Sequence, residues 1–353
     1  MTNKLLRFLS LMFILLLAAV FYIFDFYDKK LDECKYKVFY PEHPSSVTLG
    51  KVDLLNVLDP TKLKVGEDEM AKHKIVIMGI TRDNISEFSS MVRHIEYVGS
   101  FFDDYRVIIV ENDSKDGTKT ALKSWSIDNP KVKVVSKDFY NKKRPNHKFM
   151  ADMRNYYINA LDDKEYNNFD MVMMLDMDMG YGVDIRGVED SFSKINQWDA
   201  ICSNGIRASK DNKMYDVFAF RDEEFPWSPQ EWQNICYTQD VDNHWTKTCK
   251  QGKAYSRGIL KDWIAFRWTA QEKSKLYWTL IVPQAQKIYK STDPLVKVDS
   301  CFGGMAFYKR EFIKDCRYDS IEDDCEHVPF HQCVRVENDG RMMMNPAQMI
   351  RYD

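Results

Sequence analysis

Apolar residues are distributed along this chain in three ways, and each predicts a different element. Residues 5–24 form an almost unbroken apolar run, interrupted by Arg7 and Ser10. As a helix it is long enough to cross a hydrocarbon layer of roughly 30 Å. Small residues occur in it only at Ala18 and Ala19, without the spaced small pair of a cleavage site, so it reads as a retained transmembrane anchor. From residue 25 to 72 the pattern is polar, with Pro41, Pro44, Pro60 and scattered charges but no sustained period, which suits a stem. Beyond it come short apolar runs at 75–80, 107–110, 132–135 and 171–175, rich in Val, Ile and Met and bounded by polar turns. These predict buried strands. Between the first two, Phe88, Met91, Val92, Ile95 and Val98 recur at helical spacing, and Leu122 with Trp125 begins a shorter amphipathic stretch before the third. Strands alternating with helices imply right-handed crossovers and an α/β fold, a mostly parallel Rossmann-type sheet flanked by helices. The expected organisation is a cytoplasmic tail (1–4), an anchor (5–24), a stem (25–72) and one folded domain (73–353).

Charge and cysteine usage refine this picture. The net charge of −3, with acids and bases interspersed, leaves no basic stripe for a nucleic-acid partner. Lys4 and Arg7 lie at the start of the run, while Asp25, Asp28, Lys29 and Lys30 follow it, a weak bias towards a cytoplasmic N-terminus. All eight cysteines lie beyond the anchor, as expected where disulfides persist. The expected location is therefore an ER or Golgi membrane, single-pass and type II, with the folded domain lumenal. Two glycosylation sequons begin at Asn84 and Asn112, and the second falls in a loop assigned to ligand binding below.

In an open parallel sheet, ligands bind beyond the carboxyl ends of the strands. The unusual polar residues are concentrated there. After the second strand comes Glu111-Asn112-Asp113-Ser114-Lys115-Asp116-Gly117-Thr118, and after the fourth comes Asp176-Met177-Asp178. Each alone could be a turn with a helix cap. Together they predict one shared crevice. Residues two apart in extended backbone point the same way, so Asp176 and Asp178 would present paired carboxylates to a hard cation, Mn²⁺ or Mg²⁺. Such a cation neutralises charge on a diphosphate leaving group. The first loop offers acceptors to a nucleoside, with Asp113 the expected base or ribose contact. Asp116 and Thr118 have helix capping as their blander role. Arg154 could pair with a donor phosphate or form an ordinary salt bridge.

Thr81-Arg82-Asp83-Asn84, the 111–118 loop, Arg154-Asn155 and Leu175-Asp176-Met177-Asp178 together resemble GT-A-fold glycosyltransferases. Further on, residues 215–222, Ser300-Cys301-Phe302-Gly303-Gly304-Met305 and the terminal stretch from Asn345-Pro346 to Tyr352-Asp353 are similar to the fungal capsule-associated (alpha-1,3-)mannosyltransferase family, over residues 74–353. This resemblance implies a nucleotide-sugar-dependent transferase using a GDP-mannose-like donor. It implies a glycan or glycoconjugate acceptor and donor contacts at Thr81, Arg82, Glu111, Asn112, Asp113, Asp116, Arg154 and Asp176. In many such enzymes a late histidine completes the metal shell, which brings His327 or His331 beside Asp176 and Asp178.

The segment Cys325-Glu326-His327-Val328-Pro329-Phe330-His331-Gln332-Cys333 has two further readings, a zinc site or a disulfide with incidental histidines. For an inverting reaction the acceptor base would be Glu326 or Asp299, with Asp240 and Asp242 behind them. Asp222, with Asp216 and Arg221, stands on the expected acceptor side. Two competing functions fit parts of the pattern: a catalytically inactive glycan or partner binder, and an aspartate-dependent phosphatase. The phosphatase reading leaves the 111–118 loop unexplained.

Overall fold

The computed structural model describes residues 58–139, 146–179, 182–207, 213–229, 231–232, 287–321 and 324–352. The anchor segment 5–24, the stem up to residue 57, Asp240, Asp242, Cys34, Cys236 and Cys249 lie outside the described residues. Among the described residues no helix is long and apolar enough to cross a membrane.

The four expected strands form at β1 (Lys74–Thr81), β2 (Asp104–Asn112), β3 (Val132–Lys137) and β4 (Met171–Asp176). They are mutually parallel, in the order β3-β2-β1-β4. Continuous apolar runs suit them because both faces of the sheet are covered. Val76 and Met78 pack into one core layer, while Ile75 and Ile77 pack into the other. Helix α1 (Pro60–Met70) precedes β1, and α2 (Phe88–Gly99) and α3 (Thr118–Asp128) connect the first three strands. Helix α2 buries the Phe88, Met91, Val92, Ile95 and Val98 stripe. Helix α4 (His147–Leu161) leads from β3 towards β4.

Two features were not visible in the periodicity. Residues 60–70, assigned to the stem, form α1, opened by Pro60 and by Asp59, whose side chain accepts from the Thr61 N–H at 2.9 Å. This helix packs on α5 (Ile185–Phe192) through Gly66, where an added Cβ would stand 1.8 Å from the Glu189 carbonyl oxygen. A contact made by backbone at a glycine leaves little apolar stripe to read, yet it extends the folded domain upstream of residue 73. The second feature is the far half of the sheet: β5 (Ala200–Arg207), β6 (Val296–Lys297), β7 (Met305–Lys309) and β8 (Met342–Tyr352). β7 pairs antiparallel with both β4 and β5, β8 runs parallel to β5, and β6 closes the edge antiparallel to β8. The full order is β3-β2-β1-β4-β7-β5-β8-β6.

At the start of β5, buried Asp199 accepts from Arg341 Nε at 2.7 Å and from Lys309 Nζ at 2.9 Å, tying β5, β7 and the lead into β8 together. Burial opposes its charge, but Arg341 and Lys309 hold the carboxyl well below its usual range. A depressed carboxyl stabilises the fold above its unfolded pKa, about 3.9, and that contribution is lost as pH falls below it. Asp199→Ala is expected to cost about 2 kcal/mol at neutral pH, below the usual cost of breaking a buried pair because Arg341 is half exposed. Urea denaturation at pH 7 and pH 3 checks this, and an equal loss at both would contradict the assignment.

Candidate active site

The carboxyl ends of β1, β2 and β4 lie on one edge of the sheet, with Thr81 opposite Glu111 and Ile80 opposite Asp176 in the registers. β1 stands between the two acidic segments, so their strand ends are about 10 Å apart, two inter-strand spacings. The 81–85 turn bridges them. The Asp83 N–H donates to Ser114 Oγ at 3.0 Å, the Asn84 N–H to Thr118 Oγ1 at 2.8 Å, and the Asn84 amide to the Met177 carbonyl. Asn84 and Asn112 are both buried, so neither sequon presents its amide to solvent.

Within the 111–118 loop the acidic residues divide by role. Glu111 is fully buried and accepts from the Ser114 N–H at 2.8 Å and from Ser136 Oγ at 2.6 Å. Asp116 accepts from the Thr118 N–H and hydroxyl and from the Ile85 N–H, which makes it the cap and strut of the loop. These bonds engage the oxygens of both side chains in holding the loop. Asp113 adopts φ +54° at the loop's apex and accepts from the Phe139 N–H at 2.9 Å, with Asn112 beside it. Arg82 lies 3.6 Å from Asp83, and the buried Thr81 hydroxyl has no hydrogen-bond partner among the described residues.

β4 ends at Asp176, whose N–H donates to the Gly304 carbonyl at 2.8 Å. Met177 turns into the core and Asp178 is exposed. The side chain of Asp176 keeps 28% exposure, which leaves it reachable. Its neighbour across the site is Arg154. On α4 this guanidinium occupies the same buried face as Ala151, Tyr157, Ile158 and Leu161, and a charged residue within an apolar stripe was the sequence signal that it is held in place. Arg154 Nε donates to Glu326 Oε1 at 3.0 Å, Nη1 donates to the Tyr157 hydroxyl at 3.2 Å, and Nη2 lies 3.5 Å from Asp176 Oδ1. Its guanidinium carbon lies 5.1 and 5.7 Å from the ring centroids of Phe302 and Tyr318. Arg154 thus joins the end of β4 to the start of the late helix α6 (His327–Gln332).

The electrostatics of this group are uneven. Burial pushes the Asp176 carboxyl up to about 7 against the opposing Arg154 charge, with Asp178 and Asp216 adding like charge. Asp216, which accepts from the Gly303 N–H at 3.0 Å, is likewise raised, first by burial and then by Glu326. Glu326 behaves oppositely. Burial disfavours its charge, but His147, whose Nδ1 lies 3.1 Å from Oε2, and Arg154 hold it below the ordinary carboxylate range. His327, 3% exposed and stacked on Phe302 with centroids 4.1 Å apart, has no hydrogen-bond partner at either ring nitrogen among the described residues. Burial keeps it neutral, the form in which imidazole ligates metals.

Several expected residues do not join this group. His331 is removed from the metal set because its Nδ1 is 2.8 Å from Ser300 Oγ and its Nε2 2.8 Å from the Tyr308 hydroxyl, in a fully buried position. Asp299 pairs with Arg335 at 2.6 Å, and Asp222 pairs with Lys287 at 2.5 Å while accepting from the Phe225 N–H. Both form local ion pairs. The zinc reading of 325–333 fails on Cys333, which is disulfide-bonded to Cys316, while Cys325 remains a buried thiol. A second disulfide joins Cys202 to Cys301.

The donor set left at the end of β4 fits a hard divalent cation. Asp176 and Asp178 supply carboxylate oxygens, the like charge of Asp178 and Asp216 bears on Asp176, and Arg154 Nη2 lies 3.5 Å from Asp176 Oδ1. Tyr215 and Tyr352, stacked 3.6 Å apart at 10°, stand beside these carboxylates, and Tyr352 donates to Asp176 Oδ2 at 3.0 Å. Sequence reasoning missed Tyr352 as a site residue.

The mostly parallel sheet thus carries the acidic end of β4 and the 111–118 loop on one edge. In family comparison, residues 75–339 match the model described as Cryptococcal mannosyltransferase 1, and the chain belongs to that family. A comparison with curated proteins gives no match. Similar solved structures include the mannosyltransferase PcManGT from Pyrobaculum calidifontis in complex with GDP-Man and Mn²⁺, at 10% identity and TM-score 0.42 over 80% of this chain and 58% of that one. S. aureus TarS 1–349 in complex with UDP-GlcNAc is 10% identical with TM-score 0.41, over 79% of this chain and 59% of that one. GalNAc-T7 with UDP, GalNAc and Mn²⁺ is 12% identical with TM-score 0.41, over 80% and 44%. The chain therefore spans less than two thirds of the length of each of these structures.

Proposed function

We propose that this chain transfers a sugar from a nucleotide-sugar donor, with GDP-mannose the first candidate, to a glycan, protein or lipid acceptor in a metal-dependent reaction. The observation that carries this reading is the Arg154 bridge, which brings Asp176 and Glu326, 150 residues apart in sequence, to one guanidinium. Family membership supports the reaction class. The metal would be Mn²⁺ or Mg²⁺, held by Asp176 and Asp178 with His327 a further candidate ligand, and would neutralise charge on the departing nucleoside diphosphate. Asp113, Thr81, Arg82 and Asn112, at the carboxyl ends of β1 and β2, would take the nucleoside.

The acceptor proton goes to Asp216 in this reading. A general base works best with a pKa near the operating pH. Asp216 accepts from the Gly303 N–H and burial raises its carboxyl, whereas Glu326, held charged by Arg154 and His147, is a weak base and serves to position. Asp216→Asn is expected to lower kcat about 10²- to 10⁴-fold with donor binding retained. A kcat near wild type would remove Asp216 from this role.

The anchor at 5–24, a type II orientation and a lumenal domain in the Golgi or ER complete the proposal, supported by the disulfides of the folded domain. The test is a screen of the full chain in detergent against a panel of nucleotide sugars, with and without Mn²⁺, reading thermal shift and nucleotide release. Absence of any Mn²⁺-dependent stabilisation or release across the panel would overturn the assignment.

A further inference from the structure

The last strand of the sheet ends on the carboxylate that closes β4. Tyr352 belongs to β8, which is separated from β4 by β7 and β5 in the sheet order, yet its hydroxyl donates to Asp176 Oδ2 at 3.0 Å. It reaches that atom past Gly304, which adopts φ +90° and where an added Cβ would stand 2.0 Å from the Tyr352 oxygen. The same glycine's carbonyl accepts the Asp176 N–H at 2.8 Å. The Tyr352 ring is fixed by its parallel stack on Tyr215. Asp176 is thus oriented through three atoms: its amide by Gly304, Oδ1 by Arg154 at 3.5 Å, and Oδ2 by Tyr352.

A phenylalanine would provide the stacking equally well, so packing alone does not account for the hydroxyl. A single hydrogen bond to a carboxylate oxygen sets the plane of the group and leaves a lone-pair direction on that oxygen for another partner. Partners of this kind orient metal ligands. We propose that Tyr352 is a positioning residue for metal binding, its hydroxyl fixing the carboxylate plane of Asp176 so that Asp176 and Asp178 meet a divalent cation already arranged. This rests on the metal-dependent reading given above. Gly304 is part of the same device, because it alone leaves room for the hydroxyl.

The test compares wild type, Tyr352→Phe and Asp178→Ala, each as the full chain in detergent, by titration with Mn²⁺ alone followed through the electron paramagnetic resonance signal of the free ion. Tyr352→Phe is expected to weaken Mn²⁺ binding about 10- to 100-fold, the usual effect of removing a hydrogen bond to a metal ligand. Saturating Mn²⁺ is expected to restore the donor KM, which a merely structural lesion would not permit. Wild-type affinity in Tyr352→Phe, or a defect that saturating Mn²⁺ leaves in place, overturns the proposal. If wild type and Asp178→Ala differ while Tyr352→Phe matches wild type, only the positioning role falls. If wild type itself binds no Mn²⁺, the metal-dependent function falls with it.

Discussion

Asp178→Ala is expected to cut Mn²⁺-dependent turnover by about 10³-fold, corresponding to roughly 4 kcal/mol of lost transition-state stabilisation. The side chain is exposed, so its truncation removes no core packing, and the melting temperature of the metal-free protein is expected to stay at the wild-type value. Initial rates of nucleotide release over a Mn²⁺ series separate the two effects. Unchanged turnover would refute Asp178 as a ligand. A fall in turnover accompanied by a lower metal-free melting temperature would assign it a structural role instead.

Arg154→Ala is expected to act on the fold as well as on the reaction. Arg154 is 3% exposed, and its removal leaves buried Glu326 without its guanidinium and Asp176 facing Asp178 and Asp216 uncompensated. Breaking a buried pair by removing one member costs about 3–5 kcal/mol. The pH dependence has a definite sign. Glu326 is depressed in the folded state, so its contribution is present above its unfolded pKa, about 4.3, and is lost as pH falls below that value. The stability gap between wild type and Arg154→Ala is therefore expected to be widest near neutrality and to narrow in acid. Urea denaturation across that range measures it. A gap that is small at pH 7, or that widens in acid, would show that Arg154 does not hold these carboxylates.

The metal-free protein thus carries excess negative charge at one end of β4, and the reaction proposed here uses that excess. Burial and the like charge of Asp178 and Asp216 raise the Asp176 carboxyl, and a divalent cation held there would offset that like charge. Arg154 answers only part of the charge because its Nε is committed to Glu326.

Much of the first half of the fold was legible in the sequence. The runs at 75–80, 107–110, 132–135 and 171–175 became β1 to β4, because a strand buried on both faces must be apolar throughout. The stripe from Phe88 to Val98 became α2 for the corresponding helical reason. Helix α1 was hidden because its packing runs through Gly66, which contributes no apolar side chain to a pattern. The antiparallel insertion of β7 between β4 and β5 was hidden because hydrophobicity reports burial and not partner or direction.

The site divides in the same way. The sequence by itself determined which residue types stand at the strand ends, Asp113 after β2 and Asp176 with Asp178 after β4, since local periodicity fixes where each strand stops. Only the tertiary structure decided which of the later polar residues join them. His331 and His327 are four positions apart on one helix, yet one has both nitrogens bonded inside the core and the other has neither. Asp299, Asp222 and Asp216 look alike in sequence, but Arg335 and Lys287 occupy the first two, while the Gly303 backbone holds the third beside Asp176. Tyr352, 176 residues from Asp176, meets it only because a glycine at 304 leaves the space between them open. Hydrogen bonds and ion pairs between distant segments depend on atom positions within a few tenths of an ångström, and no periodicity in a chain encodes those.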